Sequence, residues 1–403
     1  MKVVHIYDGH ERVFLGEGSV PSIVYQLAKH TAKKGHEVVV LERRWKGTRY
    51  NEIIDDIEFF RFDLNVCSNV SNSEIVYDLI KKPSGISRFI LDRFLFALKS
   101  IKYLRQIDFD VVHVHLPFAA NIIINIDRSI RGKMVYTAHI GEERKRFALD
   151  SSVPLLFKLF SPDLYLMKRI KKSVVLNEAL KEKLTKKGLD GKKLEVIPNG
   201  VDISEYVISA EQINSIKRKY SLDGKFVVMF SGSVTPRKGV IHLIKAVERL
   251  NNPEVLLLIV GNLEVDKDYA KMVMDYARRK KLNVKFTGFV PYEDLKALYA
   301  ACDVFVLPSF EEGFGLVLTE ALASGKPLIG SNVGGIPMQI KDGWNGFLVE
   351  PGNVEQLAGQ IGYLFGNEEE RTKMGNNSRK LAEEGFDWSN ISEKYLGIYR
   401  EIC

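Results

Sequence analysis

Short apolar runs of strand length alternate with helical periodicities through both halves of the chain. In the N-terminal half Val3–Tyr7 reads as a strand. Ile23, Val24, Leu27 and Ala28 then recur at helical spacing, Gly35 stops that helix, and Glu37–Leu41 is the next strand. Val111–Val114, Met134–Thr137 and Ser173–Leu176 follow as short strands. In the C-terminal half Phe226–Phe230, Val255–Val260, Val284–Thr287, Val304–Leu307 and Pro327–Gly330 are strand-like, with helical segments between most of them. This alternation predicts parallel sheets covered by helices. At 403 residues the chain is too long for one core. The expected fold is α/β, with two doubly wound parallel-sheet, Rossmann-like domains. Pro198, Asn199 and Gly200 favour a turn that divides 1–200 from 201–385. Ligands of such sheets bind beyond the carboxyl ends of strands, so a cleft between domains is the expected site.

Composition excludes several classes. Hydrophobic residues are 45% and charged residues 27%, an ordinary globular balance. No apolar run reaches the roughly 18 residues of a membrane span. Met1 leads straight into a strand, so no signal peptide is expected. Cys67, Cys302 and Cys403 are odd in number and scattered, which fits a reducing, cytoplasmic compartment rather than a zinc or disulfide framework.

The string Phe310-Glu311-Glu312-Gly313-Phe314-Gly315-Leu316-Val317 through Glu320-Ala321 carries the chemistry. It follows the Val304–Leu307 run and reads as a strand, a glycine turn and a helix start. Backbone N–H groups at Gly315, Leu316 and Val317, with the helix dipole, would form an anion site. Glu312 and Glu320 flank that site, as hydroxyl-bearing groups on both sides of a diphosphate would require. Taken singly, each glutamate reads more readily as an ordinary residue of a helix start or solvated helix face than as a site residue. Together with Gly313, Phe314, Gly315 and Ala321 they resemble the Glu-x7-Glu signature of retaining GT-B glycosyltransferases of family 4. That resemblance implies that Glu312 contacts the transferred sugar and Glu320 the ribose of a nucleotide-sugar donor.

Other strings belong to the same resemblance. Ser231-Gly232-Ser233-Val234-Thr235-Pro236-Arg237-Lys238-Gly239 joins a strand to a helix and is similar to the diphosphate loop, with Lys238 at the position of the pyrophosphate lysine. The family's arginine after the first glycine is replaced by Ser233. Either Arg237 supplies that charge, or donor binding rests on Lys238 and the helix N-terminus. Ile197-Pro198-Asn199-Gly200-Val201-Asp202 matches the family's string at the domain crossing, which places Asn199 near the donor. Thr287-Gly288-Phe289-Val290-Pro291 resembles the segment that receives the base, through backbone groups near Val290. Gly334-Gly335 is similar to a family turn; its glycines would permit close backbone approach or positive φ, and a plain loop fits them equally well.

In the N-terminal half Gly16, Gly18 and Ser19 resemble the family's acceptor-side glycine loop, with Ser19 standing where a second glycine is usual. His139, at a strand end, matches the motif histidine beside the donor sugar. His113 and His115 share one strand face, which would suit metal or packing. No carboxylate or cysteine pattern completes a metal site, and packing is the preferred reading. Asp108-Phe109-Asp110 precedes a buried strand and reads as a turn rather than a cation clamp.

Charge is uneven: residues 1–205 carry a net +8 and residues 206–403 a net −1. Residues 81–105 hold seven bases and one acid among many apolar side chains. Such a helix can lie on an anionic membrane or simply turn its basic face to water; the sequence leaves both open.

The resemblance thus implies a GT-B enzyme with donor-binding and acceptor-binding domains, and a terminal helix, 386–403, packed on the N-terminal domain. Catalytic roles fall to Glu312, His139 and Lys238, and donor binding to Arg237, Lys238, Asn199, Val290, Gly313, Phe314, Gly315, Leu316, Val317 and Glu320. No metal, no cofactor and no nucleic acid are expected. The expected partners are a nucleotide-sugar and a sugar, glycan or lipid-linked acceptor, in the cytoplasm or at the inner membrane face. An epimerase on the same fold and a silent sugar-nucleotide-binding subunit are the alternatives.

Overall fold

The computed structural model describes residues 1–64, 83–139 and 161–403. It divides into two compact units, Met1–Asn199 with Trp388–Cys403, and Gly200–Asp387.

The first unit is built on β1 (Lys2–Ile6), β2 (Glu37–Arg43), β3 (Asn51–Ile54), β4 (Ile57–Phe62), β5 (Val111–Val114), β6 (Met134–Ala138), β7 (Lys172–Val175) and β8 (Leu194–Val196). They form one sheet in the order β3-β4-β2-β1-β5-β6-β7-β8. Every pairing is parallel except the β3–β4 hairpin. The strand order reverses at β1, which pairs with both β2 and β5. Strands such as Val111–Val114 are buried along their whole length, as a sheet covered on both faces requires. The β3–β4 hairpin lacks the usual glycine signal. Asp55 and Asp56 take left-handed backbones, φ 51° and 60°, to turn the chain.

The terminal helix, Trp388–Ile402, belongs to this first unit and buries Trp388, Ile391, Tyr395, Leu396 and Tyr399. Trp388 stacks on His30 of the Ser19–Lys33 helix, and Tyr399 OH lies 2.6 Å from His113 Nδ1.

The second unit holds β9 (Phe226–Ser231), β10 (Val255–Val260), β11 (Val284–Gly288), β12 (Val304–Leu307), β13 (Leu328–Ser331) and β14 (Gly346–Val349). These form a fully parallel sheet, β11-β10-β9-β12-β13-β14. Its order reverses between β9 and β12. The loops leaving those two strands are therefore the place where this sheet can hold a ligand.

The basic segment forms the helix Pro83–Leu104. Lys81 and Lys82 lie outside the described residues. Arg93, expected on the basic face, is instead buried: its guanidinium lies 3.4 Å from Asp8 and 3.1 Å from Asp92. Asp92 also takes a bidentate pair from Arg43, at 2.9 and 2.8 Å. Two buried carboxylates drew Arg93 inward, since a buried charge needs partners. Arg88, Lys99, Lys102 and Arg105 remain exposed beside the outward Ile90, Leu91, Phe94 and Leu98. No described helix is long and apolar enough to cross a membrane.

Candidate functional site

The β9 loop, residues 232–239, and the β12 loop, residues 308–315, touch along their backbones. The Phe310 N–H donates to Arg237 O at 2.8 Å. Gly239 is left-handed, φ 67°, and a Cβ there would stand 2.0 Å from Pro308 O, so only glycine admits this approach. The packing brings Lys238 and Glu312 into an ion pair, Nζ to Oε2, with both side chains largely buried.

The Glu312 turn is fixed from behind. Gly335 N donates to Glu312 O at 3.2 Å, and a Cβ on Gly334 would sit 1.8 Å from the same oxygen. Buried Gln339 donates to Phe314 O at 2.5 Å and accepts from Thr319 Oγ1 at 2.7 Å. Gly315, φ 85°, then caps the Leu316–Ala323 helix, whose first amides point out of the helix N-terminus. Gln339 and Thr319 escaped the sequence reading because nothing in their local pattern marks them.

Glu320, on that helix, occupies a tyrosine cage. Tyr299 OH donates to its Oε2 at 2.7 Å, and Tyr206 also bonds to it. Burial pushes the carboxyl up to about 7, against the tyrosine hydrogen bonds that favour its ionised form. Glu205 sits nearby, held by Tyr292 OH at 2.9 Å, and adds repulsion in the same direction. The cage was not read from sequence, because its tyrosines come from Ile203–Tyr206 and the Tyr292–Ala301 helix.

Val290 is buried at the turn between β11 and the Tyr292–Ala301 helix, with Phe289 beside it 80% exposed. Arg237, Gly313, Phe314, Leu316 and Val317 lie on the two touching loops and the helix start.

The remaining predicted residues belong to the first unit. Gly16 and Gly18 are left-handed at φ 78° and 140°, and Gly18 precedes the Ser19–Lys33 helix, which begins at exposed Ser19. Asn199 is buried at the unit's last residue. His139, just after β6, is hydrogen-bonded to His115. His113 bonds to Tyr399 OH and to Thr137 Oγ1 at 2.8 Å, a packing role. Asp110, just before β5, accepts from Lys2 N at the start of β1 at 2.7 Å, a contact between neighbouring strands and not the local turn expected from the sequence.

Residues 20–205 match the family model described as Glycosyltransferase Family 4, and residues 212–381 the model described as Glycosyl transferases group 1. An uncharacterized glycosyltransferase of Methanocaldococcus jannaschii is 32% identical over 212 residues, which cover 52% of this chain and 54% of that protein. The match therefore spans about half the length of that relative. Among solved structures, a sucrose-phosphate synthase from Thermosynechococcus elongatus superposes with a TM-score of 0.80 at 19% identity, covering 100% of this chain and 98% of that one. HepE of Anabaena, in complex with UDP-glucose, superposes with a TM-score of 0.74 at 22% identity, covering both chains fully. These structures share the two-sheet architecture. With two adjoining family models over most of its length, the chain belongs to the GT-B glycosyltransferases of family 4.

Proposed function

We propose that the protein is a retaining glycosyltransferase that uses a nucleotide-sugar donor and needs no metal. The observation that carries this reading is the Lys238–Glu312 pair at the carboxyl ends of β9 and β12, where the strand order reverses. In the ligand-free state each charge neutralises the other. A bound donor replaces that contact: its diphosphate takes Lys238 and its sugar hydroxyls take Glu312. The departing diphosphate would gather negative charge, which Lys238 and the amides at the start of the Leu316–Ala323 helix are positioned to stabilise. Arg237, on the same loop, would add to that field. Val290 backbone groups take the base, and Glu320 takes the ribose hydroxyls.

No side chain on these loops is placed as a nucleophile in this reading. The anomeric C–O bond breaks with its electron pair on the diphosphate. The acceptor hydroxyl oxygen bonds the anomeric carbon on the same face, and its proton passes to the departing phosphate oxygen. The anomeric configuration is thereby kept. The donor class is supported by the UDP-glucose bound to HepE. The acceptor is a sugar, glycan or lipid-linked sugar. The exposed apolar stripe Ile90, Leu91, Phe94 and Leu98, flanked by Arg88, Lys99 and Lys102, supports docking at an anionic membrane where such an acceptor would lie.

The test is a thermal-shift screen against nucleotide-sugars, followed by turnover of each hit with and without acceptor. The expected result is a donor that is consumed, with release of nucleoside diphosphate. Glu312→Ala should abolish turnover while nucleoside diphosphate still binds. Epimerisation of the donor without acceptor would select the epimerase alternative, and binding without any turnover would select the silent subunit.

A further inference from the structure

Two carboxylates of the second unit are joined through tyrosine hydroxyls. Glu320 lies on the Leu316–Ala323 helix, and Glu205 on the turn Ile203–Tyr206. Tyr299 OH donates to Glu320 Oε2 at 2.7 Å, and Tyr292 OH donates to Glu205 Oε2 at 2.9 Å. Tyr206 bonds both to Glu320 and to the Tyr292 hydroxyl. Its ring meets that of Tyr299 edge-on, with centroids 6.3 Å apart. Behind Tyr299, the hydroxyl of Ser231 at the end of β9 bonds to the same phenol.

A phenol has one proton to give. Burial raises Tyr206, Tyr292 and Tyr299 above their ordinary value, so each keeps its proton near neutral pH. Tyr299 gives its proton to Glu320, and Tyr292 gives its proton to Glu205. Tyr206 has two acceptors and one proton. Donation to Tyr292 leaves Glu320 with Tyr299 as its tyrosine donor. Donation to Glu320 gives that carboxylate two. An ionised carboxylate accepts at about four sites. With both tyrosines donating, two sites remain, the number that two neighbouring hydroxyls fill. Glu320 keeps contact with solvent, whereas Tyr206 and Tyr299 are buried.

We propose that Tyr206 is a positioning residue whose one proton is divided between Glu320 and Tyr292, so that the Tyr292–Glu205 pair sets how firmly Glu320 is held for the two hydroxyls of a ribose. That the ligand is a ribose rests on the glycosyltransferase reading; the division of the proton does not. Donation to Glu320 favours its ionised form and fixes its plane, and donation to Tyr292 withdraws that support. Charged groups nearby act in the same frame. Glu205 repels the ionised Glu320, and Lys296, 3.9 Å from Glu205 and 2.9 Å from Glu293, offsets part of that charge. Arg379, on the Glu368–Leu381 helix packed against the Leu316–Ala323 helix, is occupied by Ala323 O and Glu383.

Removing one oxygen from either of two tyrosines should therefore act in opposite directions. Tyr206→Phe takes a donor from Glu320, and Tyr292→Phe takes away the rival acceptor. Carbon-detected NMR of the full chain labelled with 13C-glutamate, with Glu320→Gln for assignment, follows the Glu320 carboxyl in the ligand-free protein. From its raised value of about 7, the midpoint should rise by about one pH unit in Tyr206→Phe and fall by about one in Tyr292→Phe, the low end for one hydrogen bond to a charged group. Tyr299→Phe should raise it as well, and serves if Tyr206→Phe does not fold. Calorimetric titration uses UDP as probe, or ADP or GDP where UDP does not bind. Tyr206→Phe should bind the probe about fivefold more weakly at pH 7, and Tyr292→Phe about fivefold more tightly at pH 6, following the ionised fraction. The 2′,3′-dideoxy form of the same nucleotide should bind wild type and all three variants weakly and alike at either pH. Midpoints that do not move, or that move the same way in Tyr206→Phe and Tyr292→Phe, would overturn the proposal. So would a dideoxy probe that follows the pattern of the ribonucleotide. Opposite midpoint shifts with no binding of UDP, ADP or GDP would overturn the glycosyltransferase reading and leave the division of the proton standing.

Discussion

Replacing Glu320 by glutamine should stabilise the ligand-free protein at alkaline pH while weakening donor binding. Burial raises this carboxyl from 4.5 to about 7. The folded state therefore binds a proton more tightly than the unfolded state does. Between about pH 4.5 and 7 the folded state holds more protons, so stability falls as pH rises through that window. The linkage is fully favourable below pH 4.5 and lost above about 7. At about 1.4 kcal/mol per pH unit the full shift corresponds to roughly 3 kcal/mol. Glu320 keeps some contact with solvent, so about 1–2 kcal/mol is the working figure. Glutamine removes the charge and keeps the shape, and its amide can still accept from Tyr299. For a unit of this size the Tm at pH 8 should rise by about 3–6 °C, and the gain should vanish toward pH 4.5. UDP-glucose, used as a probe, should show the opposite trend. Its ribose hydroxyls need the ionised carboxylate, so wild-type affinity should be about tenfold weaker at pH 6 than at pH 8, and Glu320→Gln should bind weakly at both. Differential scanning fluorimetry across pH, with calorimetric titration of the probe, supplies both measurements. A Glu320→Gln protein less stable than wild type at pH 8, together with pH-independent wild-type affinity, would refute the reasoning.

Glu312→Gln should tighten nucleoside diphosphate binding severalfold, because the anion no longer competes with Glu312 for Lys238, while transfer is lost; unchanged affinity by titration would count against the pair as a donor site. Lys238→Ala should weaken any diphosphate ligand by about 1.5–3 kcal/mol, the range for a hydrogen bond to a charged group. Gly334→Ala forces a Cβ to 1.8 Å from Glu312 O, so loss of transfer with Glu312 still in place is expected, and retained activity would show that the turn can shift at no cost. Vesicle flotation should require anionic lipid and fail at high salt, and the triple change Ile90→Ser, Phe94→Ser and Leu98→Ser should release the protein. Flotation that survives this change would move the docking face elsewhere.

What the sequence made legible was whatever repeats or clusters locally. The strand–helix alternation was enough for two parallel sheets, and the Glu312–Glu320 string was enough to mark one flank of the proposed donor site. The second flank required contacts between distant segments. Tyr299 is 21 residues from Glu320 and Tyr206 far more, and neither has a local pattern that announces a cage. Gln339 and Thr319 look like ordinary polar residues until the turn they hold is seen. Arg93 shows the same limit with a different outcome. It sits in a run of bases, so its neighbours in sequence suggested a solvated face. Its neighbours in space are Asp8 and Asp92, two buried carboxylates that need a cationic partner, and Arg93 supplies it.

The hairpin at 51–62 escaped because Asp55 and Asp56 accept left-handed backbones without the glycine that would have signalled the turn. His5 was missed for a related reason: one histidine inside an apolar strand reads as a satisfied core residue. Topology changes its meaning. The strand order reverses at β1, which places β5 directly beside it and brings His115, and through it His139, within hydrogen-bonding reach of His5. The same logic acts in the second unit, where the reversal between β9 and β12 brings Lys238 to Glu312. In both units the chemically committed side chains gather where the order of strands reverses. The reversal leaves the ends of two adjacent strands without a covering crossover, and polar groups gathered there can meet a ligand instead of burying one another.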